Sequence, residues 1–357
     1  MQMHAQRTGS SHMLNRRGAG AALAAVIVAA RAPAVVGAAS TVTYSHAGIT
    51  CQAGLAAAQA QGYFRDEGLD LNVVPAPADN AAAMLRGEID ASHVIAWALV
   101  PPFLAAGLTP GDLVATAGVQ RGGLAMIVAP DSPLRTLADL RGQKVAASLT
   151  WRVMLSMSLA ELGMDPLRDV DWQPALGPAQ IAEALRSGQV AAATISDPFG
   201  VAMETAGTGR VLGWNNSDGM MDDYCCSVML PAALIRMDRS KAAAITRAMM
   251  RGNAWTQANK AAAARLQIEL GHISASLADN TRAIQAIDFV PAVAAARRNT
   301  EDMLMHGVRY GFLDPSTDVM GLVSRIFVPV TGELSGIVRL PATGDATPAD
   351  DMEEMDG

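Results

Sequence analysis

Cysteine, histidine and tryptophan are scarce in this chain, with 3, 6 and 5 copies, so their positions carry most of its potential chemistry. The cysteines are Cys51 and the adjacent pair Cys225 and Cys226. Thiols can pair, hold a soft metal or pack as small hydrophobes. Three are too few for a disulfide framework, and an odd count leaves one over. A bridge from Cys51 to Cys225 or to Cys226 is compatible with export, and the sequence alone does not choose between them. No Cys-x-x-Cys or closely spaced His pair accompanies them, so no resident metal or cofactor is expected. His46 and His93 each fall at the end of a predicted strand. Trp97 and Trp151 offer flat apolar faces suited to sandwiching a ring, or to core packing. Ser148 and Thr150 precede a predicted helix beginning at Trp151. Free N–H groups at a helix start, beside a hydroxyl, suit a polar or anionic acceptor, and the same pattern also serves as an ordinary N-cap.

Alternating strands and helices must position these residues. Residues 41–45 read as a strand, followed by a helix over 53–67 that stops at Gly68. Residues 69–74 alternate like a strand and end before Pro75 and Pro77. Asp79 or Asn80 caps the next helix, and 89–95 and 144–148 read as further strands. The segment LRGEIDAS (85–92) is echoed by LRSGQVAAAT (185–194), each an Ala-rich helix turned by a glycine into a strand. Strands alternating with helices of ten to fifteen residues imply an α/β fold with mostly parallel sheets. After Pro231 the pattern becomes helical, with a long helix capped by Asp238 and running to about 269, then others near 277–286 and 293–307.

The chain has 357 residues, 50% hydrophobic and 17% charged, enough for about two cores. Its first 38 residues differ from the rest. Arg16 and Arg17 precede an uncharged run over 18–30 and a small-residue stretch ending Val36-Gly37-Ala38. This reads as a secretory signal peptide over 1–38, with the paired arginines pointing to the twin-arginine route and the periplasm. Its removal leaves 23 Lys and Arg against 34 Asp and Glu, a net charge of −11. Such a surface excludes nucleic acid and anionic lipid as partners. The tail 341–357 carries six acidic residues and no basic one, and is expected to be disordered.

Five segments, in order, carry a family resemblance. They are AQAQGYFRDEGLDLNVV within 57–74; LRGEIDAS; Asp131-Ser132-Pro133 followed by 137–145; Asp197-Pro198-Phe199; and the helix 246–264 with its central Trp255. Together they resemble the nitrate/sulfonate/taurine and thiamine-precursor class of periplasmic binding proteins over roughly 41–310. The resemblance implies a two-lobed fold of type II. Lobe one is expected over 41–122 plus 224–340 and lobe two over 123–223, joined by crossovers near 122–127 and 222–228. Ligands in open α/β sheets sit beyond the carboxyl ends of the strands, so facing lobes place those ends around one cleft, which closes by a hinge.

That geometry selects the expected ligand-binding residues. In lobe one they are His46 (with Ser45 before it), Cys51, Ser92, His93 and Trp97. In lobe two they are Ser148, Thr150, Trp151, Asp197 and Phe199. Tyr224 and Cys225 join them at the return crossover. The implied function is to deliver a small polar ligand, heterocyclic or sulfonate-type, to the membrane permease of an ABC importer, with the protein a monomer and no catalytic residues. Alternatives on the same fold are a thiamine-pyrimidine-synthase-like enzyme, a protein binding a metal or metal complex, and a secreted sensor. The enzyme would require a Schiff-base lysine in 41–122, yet the only lysines are Lys144, Lys241 and Lys260.

Overall fold

Every strand of the fold is short, and three small sheets organise the chain. The computed structural model describes residues 40–105, 107–217 and 223–334. The expected leader 1–38, the acidic tail 341–357 and residue 222 of the second crossover lie outside the described residues. The strands are β1 (Ser40–His46), β2 (Leu69–Pro75), β3 (Ser92–Val94), β4 (Leu113–Arg121), β5 (Leu124–Val128), β6 (Lys144–Ala146), β7 (Asp171–Gln173), β8 (Ala192–Ser196), β9 (Arg210–Trp214) and β10 (Tyr224–Pro231). The helices are α1 (Ala53–Ala60), α2 (Tyr63–Asp66), α3 (Asn80–Leu85), α4 (Leu149–Glu161), α5 (Pro178–Arg186), α6 (Phe199–Thr205), α7 (Ala232–Met237), α8 (Arg239–Ala258), α9 (Lys260–Glu269), α10 (Leu277–Gln285), α11 (Ala294–Arg309) and α12 (Val319–Ile326).

The fold is the expected two-lobed α/β type. One sheet, ordered β7-β6-β8-β5-β9, is built wholly from the middle of the chain. Sheet β1-β2 lies wholly before it in sequence, and β3-β10-β4 combines strands from both sides of it. The chain therefore passes into the middle segment at β4–β5 and returns at β10. The sheets are mixed rather than mostly parallel. β1 pairs with β2, and β6 with β7 and β8, in parallel. The strands flanking the crossings, β4, β5 and β10, run antiparallel to their neighbours. A strand that carries the chain between lobes enters each sheet against the direction set by the helix-connected strands.

Local sequence accounts for most boundaries. Gly62 adopts a left-handed φ of 72° and splits the expected helix 53–67 into α1 and α2. The Asp238 carboxylate accepts from Lys241 N at 2.8 Å and starts α8, as its type and place suggested. The long helix predicted to reach 269 instead breaks at Asn259, giving α8 and α9. The close approach of α1 and α8 depends on two glycines. A Cβ on Gly252 would lie 2.2 Å from the Gly54 carbonyl oxygen, and one on Gly54 would lie 2.2 Å from the Asn253 side chain. The core beneath these helices is mostly Ala, Val, Leu, Ile and Met, as the low aromatic content of 4% requires.

Candidate ligand-binding site

Strand β1 carries Ser45 and His46 to its carboxyl end. Asp90, the last acid of LRGEID, holds this strand in place. Its carboxylate accepts from Thr43 N at 2.9 Å and from Lys241 Nζ at 3.1 Å. Ser45 Oγ lies 2.8 Å from both Asn80 Oδ1 and Ser92 Oγ, and Asn80 Nδ2 donates to Ser92 Oγ at 3.2 Å. Ser92 is thus buried and held within its own lobe. Next to it, the Tyr44 hydroxyl donates to the Ser92 carbonyl at 3.0 Å and lies 3.2 Å from His93 Nδ1. Since that hydroxyl has one proton, the network assigns the donor role to His93 Nδ1. Nε2 of His93 is then an acceptor, and it is buried with no partner.

The His46 ring stacks on His272, with centroids 5.0 Å apart and 24° between planes. Burial lowers the pKa of both rings. That of His272 falls to about 4, with repulsion from a charged His46 adding to the effect of burial. Burial likewise lowers His93. His46 Nδ1 is buried and unpartnered.

Cys51 occupies the short helical turn Thr50–Gln52 that follows β1. Its sulfur lies 3.9 Å from that of Cys226 on β10. The register of β10 against β4 is irregular at this point. Cys225 and Cys226 contact each other and the buried Gln120 of β4. The contacts of Cys226 with the Cys225 and Cys51 thiols, with His93 nearby, lower its pKa well below the usual thiol value. The same bonding and burial raise Cys51 and Cys225. Gln120 Nε2 donates to the Gly122 carbonyl at 3.4 Å, while its Oε1 is buried without a partner.

Lobe two contributes Asp197, which follows β8 and is fully buried. Its backbone carbonyl accepts from Thr50 N at 2.9 Å, a hydrogen bond that joins the middle segment to the turn after β1. Oδ2 accepts from Trp214 Nε1 at 2.5 Å, and Oδ1 lacks a hydrogen bond of good geometry. Burial pushes the carboxyl up to about 7, against the Trp214 indole, the Val201 amide and Arg282, all of which favour its charged form. The lobes also meet at α6 and α10. Arg282 pairs with Glu204, and Thr205 Oγ1 donates to Asp279 Oδ1 at 2.6 Å.

His46, Cys51, Ser92, His93, Asp197 and Cys225 are therefore gathered about one region. Several other expected residues have different surroundings. Trp97 is only 1% exposed and packs edge-on against Phe103, with centroids 5.4 Å apart. The expected strand 89–95 shrinks to β3, and residues 96–99 wind into a helical turn that directs this ring into the core. It is not an open cleft wall. Phe199 begins α6 and is 39% exposed. The buried Tyr224 hydroxyl donates to the Val290 carbonyl at 2.8 Å, and its ring lies under the Arg121 guanidinium. Ser148 is the N-cap of α4, accepting from Trp151 N at 3.4 Å, with Thr150 half-buried in the first turn. Arg152, beside them in sequence, donates to the Ala147 and Gln173 carbonyls. Trp151 packs from α4 against two apolar clusters, one of which also holds Val153, Met154 and Met157 of the same helix. All three cysteines are free thiols. Among the described residues no group of three or more His, Cys, Asp or Glu side chains is placed to hold a metal ion, and no helix is long and apolar enough to cross a membrane.

Sequence reasoning missed Gln120, His272 and Trp214 as members of the site. A glutamine inside the mostly apolar, largely buried run of β4 was a usable signal. His272 and Trp214 arrive by tertiary packing and left none.

Two lobes with a cleft between them, built on mixed sheets with these crossings, define the fold of the periplasmic binding proteins. Residues 38–270 match the NMT1-like family, and the chain belongs to it. Among solved structures, the periplasmic nitrate-binding protein NrtA of Synechocystis PCC 6803 is similar at a TM-score of 0.63 and 16% identity, over 81% of this chain and 86% of that one. The periplasmic aliphatic sulphonate binding protein SsuA of Escherichia coli follows at 0.59 and 18%, over 88% and 98%. A protein described as the desulfurization enzyme DSZB also shares the fold, at 0.54 and 17%, over 81% and 96%. Comparison with curated proteins returned no match.

Proposed function

We propose that this chain is the extracytoplasmic solute-binding component of an ABC importer and that it binds a small, uncharged, hydrogen-bond-donating heterocycle between its lobes. The solved relatives supply the transport reading, since they include binding proteins for nitrate and sulphonates. One observation carries the site. His46 Nδ1, His93 Nε2, Gln120 Oε1 and Asp197 Oδ1 are all buried without a partner, and they come from both lobes. Buried polar atoms are nearly always satisfied, so such a set calls for a ligand that completes it. His93 Nε2 and Gln120 Oε1 offer lone pairs, the histidines are held neutral, and neither Lys nor Arg is among the four. A nitrate or sulfonate brings further lone pairs and a negative charge to acceptors of this kind. A neutral ring bearing N–H or O–H groups matches them instead.

In this reading residues 40–122 and 224–334 form one lobe and 123–217 the other. The crossovers at β4–β5 and β10 serve as the hinge. No chemistry is assigned to the site. Fold alone does not decide between binding and catalysis, as the desulfurization enzyme illustrates, and 41–122 has no lysine for a Schiff base. A thermal-shift screen of neutral heterocycles, alkanesulfonates, nitrate, carboxylates and metal ions tests the proposal. A ligand at 100 times its Kd stabilises the fold by about 2.7 kcal/mol. The expected hits are neutral heterocycles; a response to sulfonates or nitrate alone refutes the ligand class.

A further inference from the structure

The thiol cluster lies at the junction of both lobe crossings, a position that ligand binding does not explain. Cys51 sits in the turn whose Thr50 amide reaches across to the Asp197 carbonyl. The same turn is fixed from below by Thr50 Oγ1 donating to Asn280 Oδ1 at 2.8 Å. Behind it is Gly123, at the first crossing, with φ of 96°; a Cβ there would approach Cys51 Cβ to 2.9 Å. In front is Cys226, near the start of the second crossing strand β10, its sulfur 3.9 Å away. A disulfide needs about 2.0 Å between sulfurs, so a side-chain rotation with a small backbone shift closes the gap. Cys225 is the neighbour of Cys226 in sequence, and the hydrogen-bonding partner of the Cys51 sulfur is Cys226.

We propose that Cys51 and Cys226 form a reversible disulfide that clamps the turn to the second crossing strand at the hinge, with Cys225 left as a free thiol. The proposal rests on the thiol geometry and not on the identity of the ligand. The oxidant is a small external disulfide such as oxidised glutathione. The Cys226 thiolate attacks it, releasing one reduced thiol and forming a mixed disulfide. Cys51 loses its proton and displaces the second thiol, leaving the internal S–S bond. Two protein S–H bonds are lost and two external thiols are formed, so two electrons pass from protein to oxidant. Its neighbouring thiols and His93 favour the thiolate of Cys226, which makes it the attacking sulfur.

The test uses the full chain. It is unfolded under reducing conditions, refolded in a glutathione redox buffer, alkylated, digested and mapped by mass spectrometry, so that access to buried thiols does not limit the exchange. The expected result is one cross-link between the peptides bearing Cys51 and Cys226, an alkylated Cys225, and loss of the link on adding dithiothreitol. Cys225→Ser should keep the link, and Cys51→Ser should abolish it. Three alkylated cysteines after refolding, or a cross-link that includes Cys225, would overturn the proposal without bearing on solute binding.

Discussion

Replacing Asp197 by Asn should flatten one component of the pH dependence of stability. The carboxyl is fully buried, and its pKa rises from 3.8 to about 7 because burial disfavours its charge. A carboxyl raised in this way holds its proton more tightly in the folded state. Its contribution to stability is complete below pH 3.8 and is lost as pH rises through about 7. Roughly three pKa units at about 1.36 kcal/mol each give a loss on the order of 4 kcal/mol. Asparagine mimics the neutral acid. Its carbonyl can accept from Trp214 Nε1 as Oδ2 does, and its amide occupies the place of the unpartnered Oδ1. The histidines act in the opposite direction. His272 and His306, lowered from 6.5 to about 4, favour folding above pH 6.5 and withdraw that support as pH falls toward 4. Their effect is common to both proteins and cancels in the difference. Urea unfolding of the native protein and the Asp197→Asn variant at intervals from pH 4.5 to 8.5 should show the native protein losing stability relative to the variant as pH rises. A difference that stays constant with pH would refute the account of Asp197 as a buried acid with a raised pKa.

Other expectations follow from packing and from the hinge. Trp97→Ala should destabilise the protein by about 3–5 kcal/mol, as for a core aromatic, while ligand affinity of the folded variant changes little; chemical denaturation with calorimetric titration separates the two. Gly252→Ala should cost about 1–3 kcal/mol by forcing α1 and α8 apart, read as a lower urea midpoint. Saturating ligand should reduce the radius of gyration measured by solution scattering if the lobes close about the crossings at β4–β5 and β10; an unchanged radius counts against the hinge.

The fold was legible because its signals are local. Glycines at Gly87 and Gly188, both with left-handed φ, turn the two echoed helix ends toward their strands. Ser148 and Asp238 start helices as their types suggest. The break at Asn259 and the shortening of 89–95 to β3 were not legible, since both depend on what packs around them. Within the candidate site, the strand-end rule named His46, Ser92, His93 and Asp197, which the structure gathers about one region, because a carboxyl end follows from strand order alone. At Trp97 the helical turn over 96–99 instead directs the ring into the apolar core. His272 joins the site from a separate helical block more than 200 residues away in sequence, and no spacing rule reaches that far.

The central claim is that neutral polar groups from both lobes receive a hydrogen-bond-donating solute. Isothermal titration of the native, His93→Ala and Gln120→Ala proteins against the neutral heterocycle that gives the largest thermal shift tests it most directly. The account predicts saturable binding to the native protein and at least tenfold weaker binding, about 1.4 kcal/mol, for each variant. Binding of nitrate or an alkanesulfonate in place of any neutral heterocycle, with an affinity that neither substitution alters, would contradict it.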